Sequence, residues 1–145
     1  MYRELIAELI RGNRWARLQE PCPEEELDAA EAYVGFAFPE ELKALLRETN
    51  GDRDLLMSAR QIIETVQNMR EIFPEAMEPD EFEEKINRHV FFAGNGCGDY
   101  YCYRVLPNGE TDDSAVYIWE HELFETRRAA DNIAELIVRH YRDEL

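Results

Sequence analysis

The sequence predicts an α+β fold in which a mostly antiparallel central sheet is flanked by N-terminal helices and by one C-terminal helix. Two observations support this prediction. Apolar residues recur three and four positions apart in the first half of the chain, whereas from His89 they follow the two-residue period of strands. A last helical repeat follows Asp131. The length of 145 residues suits one core, so we expect a single domain over residues 1–145.

Four helices are predicted in the N-terminal half. The second and third begin at Pro23 and Pro39, where a missing N–H is tolerated, and glutamates follow each proline. The third ends at Asn50-Gly51, a pair suited to a left-handed C-terminal cap. Ser58 starts the fourth, with Gln61 completing a capping box. The apolar stripes of the four helices include Leu5 and Ile6, Leu27 and Val34, Leu42 and Leu46, and Ile62 and Val66.

The segment from Phe73 to Lys85 is acidic and contains two prolines, Pro74 and Pro79. This composition predicts a surface excursion with one short helical turn, and it makes the segment the candidate mobile loop.

Strands are predicted at His89–Ala93, Tyr100–Leu106 and Ala115–Trp119, with a further short strand at Leu55–Met57. Gly94–Asp99 is predicted to be a tight loop, and Pro107-Asn108-Gly109 is a hairpin signal. Asp131 is predicted to cap the last helix. The apolar stripe of that helix consists of Ile133, Leu136, Ile137, His140 and Tyr141.

The charge balance limits the partners that the chain can bind. There are 32 acidic side chains and 16 basic ones, a formal net charge of −16. Such a surface repels phosphate backbones and anionic lipid, so we expect neither nucleic acid nor membrane as a partner. It favours a basic protein partner, although the same charge would also serve solubility alone.

The remaining composition predicts a cytoplasmic protein. No apolar run approaches the roughly 20 residues of a membrane-spanning helix, and the first residues do not resemble a secretory signal. The three cysteines, Cys22, Cys97 and Cys102, are an odd number without framework spacing, so we expect reduced thiols.

The glycine-rich loop Gly94–Asp99 is the most unusual local sequence. As a phosphate-binding loop it should lead into a helix, but it leads into a predicted strand and lacks the Lys-Ser/Thr ending of a P-loop. Cys97 with His121 as a base would make a nucleophile pair, yet no spacing requires it. We therefore expect no catalytic residue, no cofactor and no metal ligand. A small nucleotide-binding protein or enzyme that uses this loop is the alternative.

Several segments in order resemble the signatures of the SUKH superfamily. Phe38–Leu42 leading to Asn50-Gly51 resembles its first signature, Phe92-Ala93 with Gly98–Tyr103 its central one, and Val116–Glu122 its third. The closing helix from Asp131 is similar to its C-terminal helix, so the resemblance spans roughly Glu24 to the C-terminus. The glycine-rich loop with Cys97 and the acidic excursion depart from the family pattern.

The resemblance implies an α+β domain without enzymatic activity. Bacterial members of the superfamily are regarded as immunity proteins that neutralise toxins, many of them nucleases, and fungal members as regulators of cell-wall synthesis. We therefore expect a basic protein partner of the nuclease-toxin kind, with a general regulatory or scaffold protein as the alternative; the oligomeric state stays open. The candidate partner contacts are Asp99, Tyr100, Asp112, Asp113, Trp119 and Glu122, and the residues with an expected structural role are Pro39, Asn50, Gly51, Gly94 and Gly98.

Overall fold

The computed structural model describes the whole chain, residues 1–145. Five helices precede a block of four strands, and a sixth helix follows the strands, as the α+β prediction required. A 3-10 turn at Phe73–Glu75 and a π-helical turn at Glu83–Asn87 flank α5. The helices are α1 Tyr2–Leu9, α2 Glu24–Val34, α3 Glu40–Glu48, α4 Ala59–Ile72, α5 Pro79–Phe82 and α6 Ile133–Tyr141, and the strands are β1 His89–Gly94, β2 Tyr100–Val105, β3 Thr111–Glu120 and β4 Glu125–Ala130.

The four strands form one antiparallel sheet in the order β1-β2-β3-β4. In the register, Tyr101 pairs with Ile118 and Ile118 with Arg127. Phe91, Tyr101 and Tyr117 therefore share a sheet, as predicted. The predicted short strand at Leu55–Met57 is reduced to a single bridge between Leu56 and Ala93 beside β1.

The helices bury one face of the sheet. Leu45 of α3 and Ile137 of α6 lie in the same apolar core as the strands, as expected. Tyr103 of β2 donates a hydrogen bond from its hydroxyl to Glu41 Oε1 of α3 over 2.7 Å. Burial and the Glu41 charge raise the pKa of Tyr103, so this hydroxyl stays protonated inside the core.

The Phe73–Lys85 excursion covers part of the opposite face of the sheet. It is largely helical rather than a loop with one turn, and it brings Phe73 against the ring of Trp119, with centroids 6.3 Å apart. Trp119 Nε1 also donates to the backbone oxygen of Lys85 over 2.8 Å. The aromatic face of β3 explains why this acidic segment folds back onto the sheet.

The Asn50-Gly51 prediction was right about backbone conformation and wrong about the role of the pair. Gly51 has φ +87°, but α3 already ends at Glu48 and is followed by the extended Thr49. Asn50 Oδ1 instead accepts a hydrogen bond from the Ala59 amide at the start of α4, over 2.9 Å. The pair therefore belongs to the corner between α3 and α4.

Two predictions near the C-terminus need correction. The last helix is capped by Asn132, whose side chain accepts from Glu135 N, whereas Asp131 pairs with Arg128. The strand β4, Glu125–Ala130, was not predicted, because Glu-Thr-Arg-Arg-Ala-Ala contains a single strong strand former. Pairing with β3 supplies the strand conformation that the local sequence lacks. No helix in the chain has the length and apolar character needed to cross a membrane.

Candidate partner-binding surface

The glycine-rich loop and the β3–β4 turn are joined at one end of the sheet. Asp99 Oδ1 accepts a hydrogen bond from the His121 backbone amide over 3.0 Å and lies 2.6 Å from His121 Nδ1. Gly98 has φ +97°, and a Cβ atom there would approach the His121 ring to 3.1 Å. Gly98 therefore permits both the turn into β2, as predicted, and the close packing of the imidazole.

Asp99 is held in its ionised form at this junction. Partial burial alone would raise its pKa, but hydrogen bonds from His121 and from Asn95 Nδ2 outweigh burial and lower it. Asn95 also accepts from the amide of Cys97 over 2.8 Å, which fixes the tip of the loop. The loop consequently presents a fixed negative charge beside an exposed tip at Gly96–Gly98.

Tyr100, the first residue of β2, lies between the loop and α4. It is half-buried, and its ring lies 5.8 Å from that of Phe91. A groove of about 280 Å³ separates Tyr100 and the loop from the outer side of α4. The α4 side chains that line this groove are Gln61, Glu64, Thr65 and Asn68, which recur at helical spacing on one face.

Exposed apolar side chains lie at the C-terminal end of α4 and in the β3–β4 turn. Ile72 continues the α4 face four residues after Asn68 and is 63% exposed, and Leu123 in the β3–β4 turn is 58% exposed. Their neighbours Phe73 and Phe124 contact each other edge to face, with centroids 5.3 Å apart. This contact places the end of α4 and the turn side by side.

The α4 groove, the Asp99–His121 contact and the Phe73–Phe124 contact link these parts, which together are called here the loop–turn surface. It comprises Asn95–Tyr100, His121–Leu123 and the α4 side chains Gln61, Glu64, Thr65, Asn68 and Ile72. Glu64, Asp99 and Glu122 supply its carboxylates, and Ile72 and Leu123 supply its exposed apolar side chains. The predicted contacts Asp99, Tyr100 and Glu122 therefore belong to one surface.

Trp119 does not belong to this surface as a direct contact. It is 1% exposed, and it packs against Phe91, Tyr100 and Phe124. Its indole N–H is already paired with Lys85. The expectation that it anchors a partner is corrected to a core role beneath the surface.

Asp112 and Asp113 lie at the other end of the sheet. Asp112 pairs across the sheet with Arg104, whereas Trp119 pairs with Tyr100, so about 23 Å of β3 separates the two ends at about 3.3 Å per residue. Asp113 is exposed, as expected, but Asp112 is half-buried and accepts from Ser114 N over 3.0 Å, which lowers its pKa. The six candidate contacts therefore do not form a single site.

Three exposed apolar residues were missed by the sequence reasoning. Ile72 falls off the apolar stripe of α4, which is a signal that the core does not need its side chain. Leu123 lies in a turn between Glu122 and Phe124, and the sequence alone does not show which of the two apolar neighbours is exposed. Trp15, in the segment between α1 and α2, is 76% exposed. An exposed tryptophan is a common anchor of an interface.

The loop leads directly into β2, so no helix N-terminus faces its glycines. Cys97 is exposed at the tip. No three histidine, cysteine or acidic side chains are grouped as metal ligands would be. The arrangement suits recognition through fixed charge and exposed apolar area, and the lack of a catalytic role for Cys97 and His121 stays a prediction.

Comparison with known proteins agrees with the fold. The model of the SMI1 / KNR4 family (SUKH-1) matches residues 21–139, which include α2 to α5, most of α6, the whole sheet and the loop–turn surface. Helix α1 and Trp15 precede the matched region. No curated protein matches the chain. On the strength of a match that spans most of its length, the chain belongs to the SMI1/KNR4 (SUKH-1) family.

Proposed function

We propose that this protein is an immunity-type inhibitor that binds a basic protein toxin of the nuclease kind through the loop–turn surface. Family membership supports a protein-binding SUKH domain. The bacterial immunity role implied by the family resemblance supplies the toxin partner. The three free cysteines favour action in the cytoplasm, where thiols stay reduced.

The observation that carries this proposal is the pairing of exposed apolar side chains with carboxylates on one fixed surface. Ile72 and Leu123 are large enough to fill pockets on a partner, and a few side chains that become well packed and desolvated carry most of the energy of an interface. Glu64, Asp99 and Glu122 belong to the same surface. A basic protein would pair with these carboxylates while the apolar anchors are buried.

The charge of the whole molecule supports the same class of partner. A net charge of −16 attracts a basic protein over long range and raises the association rate. A nuclease is usually basic because it must hold nucleic acid. An acidic inhibitor competes for that substrate-binding face.

The first experiment identifies the partner and tests the surface together. The tagged protein is used to recover its partner from native cells, and affinity is then measured for the parent and for the double variant Ile72→Ser/Leu123→Ser. We expect a strongly basic partner whose nuclease activity falls on binding, and an affinity loss of about 100-fold in the double variant, since each lost anchor is worth more than about 1 kcal/mol.

The matched control is Leu106→Ser in the β2–β3 turn, where a leucine is 40% exposed at the far end of the sheet. It should bind within about twofold of the parent, because surface changes outside an interface have small effects. An acidic partner would overturn the proposal. A basic partner whose activity is unchanged on binding would also overturn it, and would favour the regulatory or scaffold alternative.

A further inference from the structure

A second cavity lies next to α6, on the face of the sheet that α3 and α6 cover. Its volume is about 330 Å³, within the range of pockets that hold small molecules. Tyr101 and Ile118 form its floor, and Arg139 of α6 stands at its wall. Successive side chains of a strand point to opposite faces, so Tyr101 faces away from Tyr100 and the α4 groove.

The side-chain charges of this cavity balance, although the molecule as a whole is strongly acidic. Arg127 and Arg139 face the cavity, and so do Asp99 and Asp143. Arg128 also lies at its edge, but it pairs with Asp131 and stands opposite Tyr117 in the register, so its side chain belongs to the other face of the sheet. By comparison, the α4 groove has one arginine against two acidic side chains, and the cavity between the β2–β3 turn and the Glu83 region has two arginines against three.

Tyr101 places an unused hydroxyl in this cavity. Its side chain is almost entirely buried, with 3% of the residue exposed, yet its hydroxyl has no hydrogen-bond partner in the protein and is not sealed from the cavity. Tyr103 and Tyr141, by contrast, donate to Glu41 and Asp52. A buried polar group without a protein partner takes one from solvent or from a ligand.

The arginines are positioned to share a ligand with this hydroxyl. Arg139 is held by hydrogen bonds from its guanidinium to the backbone oxygens of Ala129 and Glu144. Arg127 donates through Nε to Glu120 over 2.6 Å, which leaves its two terminal nitrogens without a protein acceptor. Burial raises the pKa of Tyr101, and the positive charges of Arg127 and Arg139 oppose that rise.

We propose that this cavity binds the oxyanion of a small ligand, a carboxylate or phosphate group. The Tyr101 hydroxyl donates a hydrogen bond to it, and the Arg127 and Arg139 guanidiniums supply the countercharge. A guanidinium presents several N–H donors in a fixed plane that matches the oxygens of either group. Asp99 and Asp143 at the edge favour a ligand with a single oxyanion group over a polyanion.

The test is an NMR titration of the ¹⁵N-labelled full chain, first with inorganic phosphate and separately with succinate, at constant ionic strength set by chloride. We expect saturable shifts of residues around the cavity with a Kd of about 1 mM or tighter for at least one of them. If only phosphate gives saturable shifts, the ligand carries a phosphate group. If only succinate does, the ligand carries a carboxylate. If both do, the cavity accepts either oxyanion.

Two variants decide whether the cavity is responsible. Tyr101→Phe removes a hydroxyl that bonds to no protein atom, so the fold should survive, and the affinity should fall about ten-fold, as for a hydrogen bond to a charged group. Arg127→Gln should act in the same direction. The control is Arg104→Gln, an arginine over the Tyr117 ring on the other face, which should leave the affinity unchanged. Absence of saturable shifts with both anions, or equal affinity in Tyr101→Phe and the parent, would overturn the proposal.

Discussion

Gly51 shows how one residue combines two constraints. Its φ of +87° lies in the region that glycine adopts readily, and a Cβ atom there would lie 2.9 Å from both Leu56 O and Ser58 N. The first constraint was predictable from Asn50-Gly51. The second was not, because the contacting backbone belongs to the next corner of the chain.

Gly51→Ala should therefore destabilise the protein by more than the cost of placing alanine at a positive φ. Gly109 is the matched control, because it has φ +89° and no atom within 4 Å of a built Cβ. We expect Gly109→Ala to lower the free energy of unfolding by about 1–2 kcal/mol, and Gly51→Ala by about 1–3 kcal/mol beyond that. Urea denaturation of both variants measures the difference, and equal losses would show that the close contact is not real.

Asp52 is a residue that the sequence did not single out. It is fully buried, and one carboxylate oxygen accepts hydrogen bonds from the amides of Asp54, Leu55 and Leu56. The other accepts from the hydroxyl of Tyr141, 89 positions later. Burial and Asp52 together raise the pKa of Tyr141. A partner as distant as Tyr141 leaves no local pattern, so the sequence alone does not show that this carboxylate ties the corner to α6.

Among the elements, periodicity predicted the helices and the three aromatic strands because each carries its own apolar pattern. The end of α3 was harder to place. The amide of Cys22 donates to the Leu46 carbonyl, and the amide of Asn50 donates to Glu20. The helix thus stops where residues 20–22, some 25 residues earlier in the chain, pair with the backbone groups at its end. A local cap signal in the sequence does not predict such a long-range pairing.

The indole of Trp119 donates the hydrogen bond that ties the excursion around α5 to the sheet, so Trp119→Phe tests how much this bond contributes to the attachment. Phenylalanine cannot donate to Lys85 O, and the loss should lower the free energy of unfolding by about 1–3 kcal/mol. Hydrogen exchange should accelerate at amides 80–87 and stay unchanged in α6. Tyr117→Phe in the same strand, where the hydroxyl accepts only from the surface residue Arg104, is the control. Acceleration spread evenly over the sheet would mean that the indole supports the whole core instead.

At the scale of the whole molecule, the charge was read directly from composition, whereas the position of the contact surface was not. The sequence analysis grouped Asp113 and Glu122 because both lie near the third strand, nine positions apart. A strand converts that short separation into opposite ends of the sheet. Composition therefore predicts the sign of the partner's net charge. Only the strand register shows which carboxylates can face the partner together.

This geometry gives a charge-reversal experiment with an internal control. At about 0.01 M salt the screening length is about 30 Å, so Glu122→Lys and Asp113→Lys should both slow association with the partner. At about 0.15 M salt the screening length is about 8 Å, and only Glu122→Lys, on the loop–turn surface, should still slow association. Stopped-flow association rates across a salt series provide the measurement. A larger effect of Asp113→Lys at 0.15 M would place the interface at the other end of the sheet.

The order of the strands has a consequence for how the chain folds. Each strand pairs with the one made just before it, so the sheet can form by adding successive hairpins without any crossover. The link between Asp52 and Tyr141, by contrast, joins the first half of the chain to its last helix. During synthesis the hairpins can therefore assemble early, while the corner around Asp52 keeps an unpaired carboxylate oxygen until α6 has left the ribosome. Completion of this corner thus waits for α6.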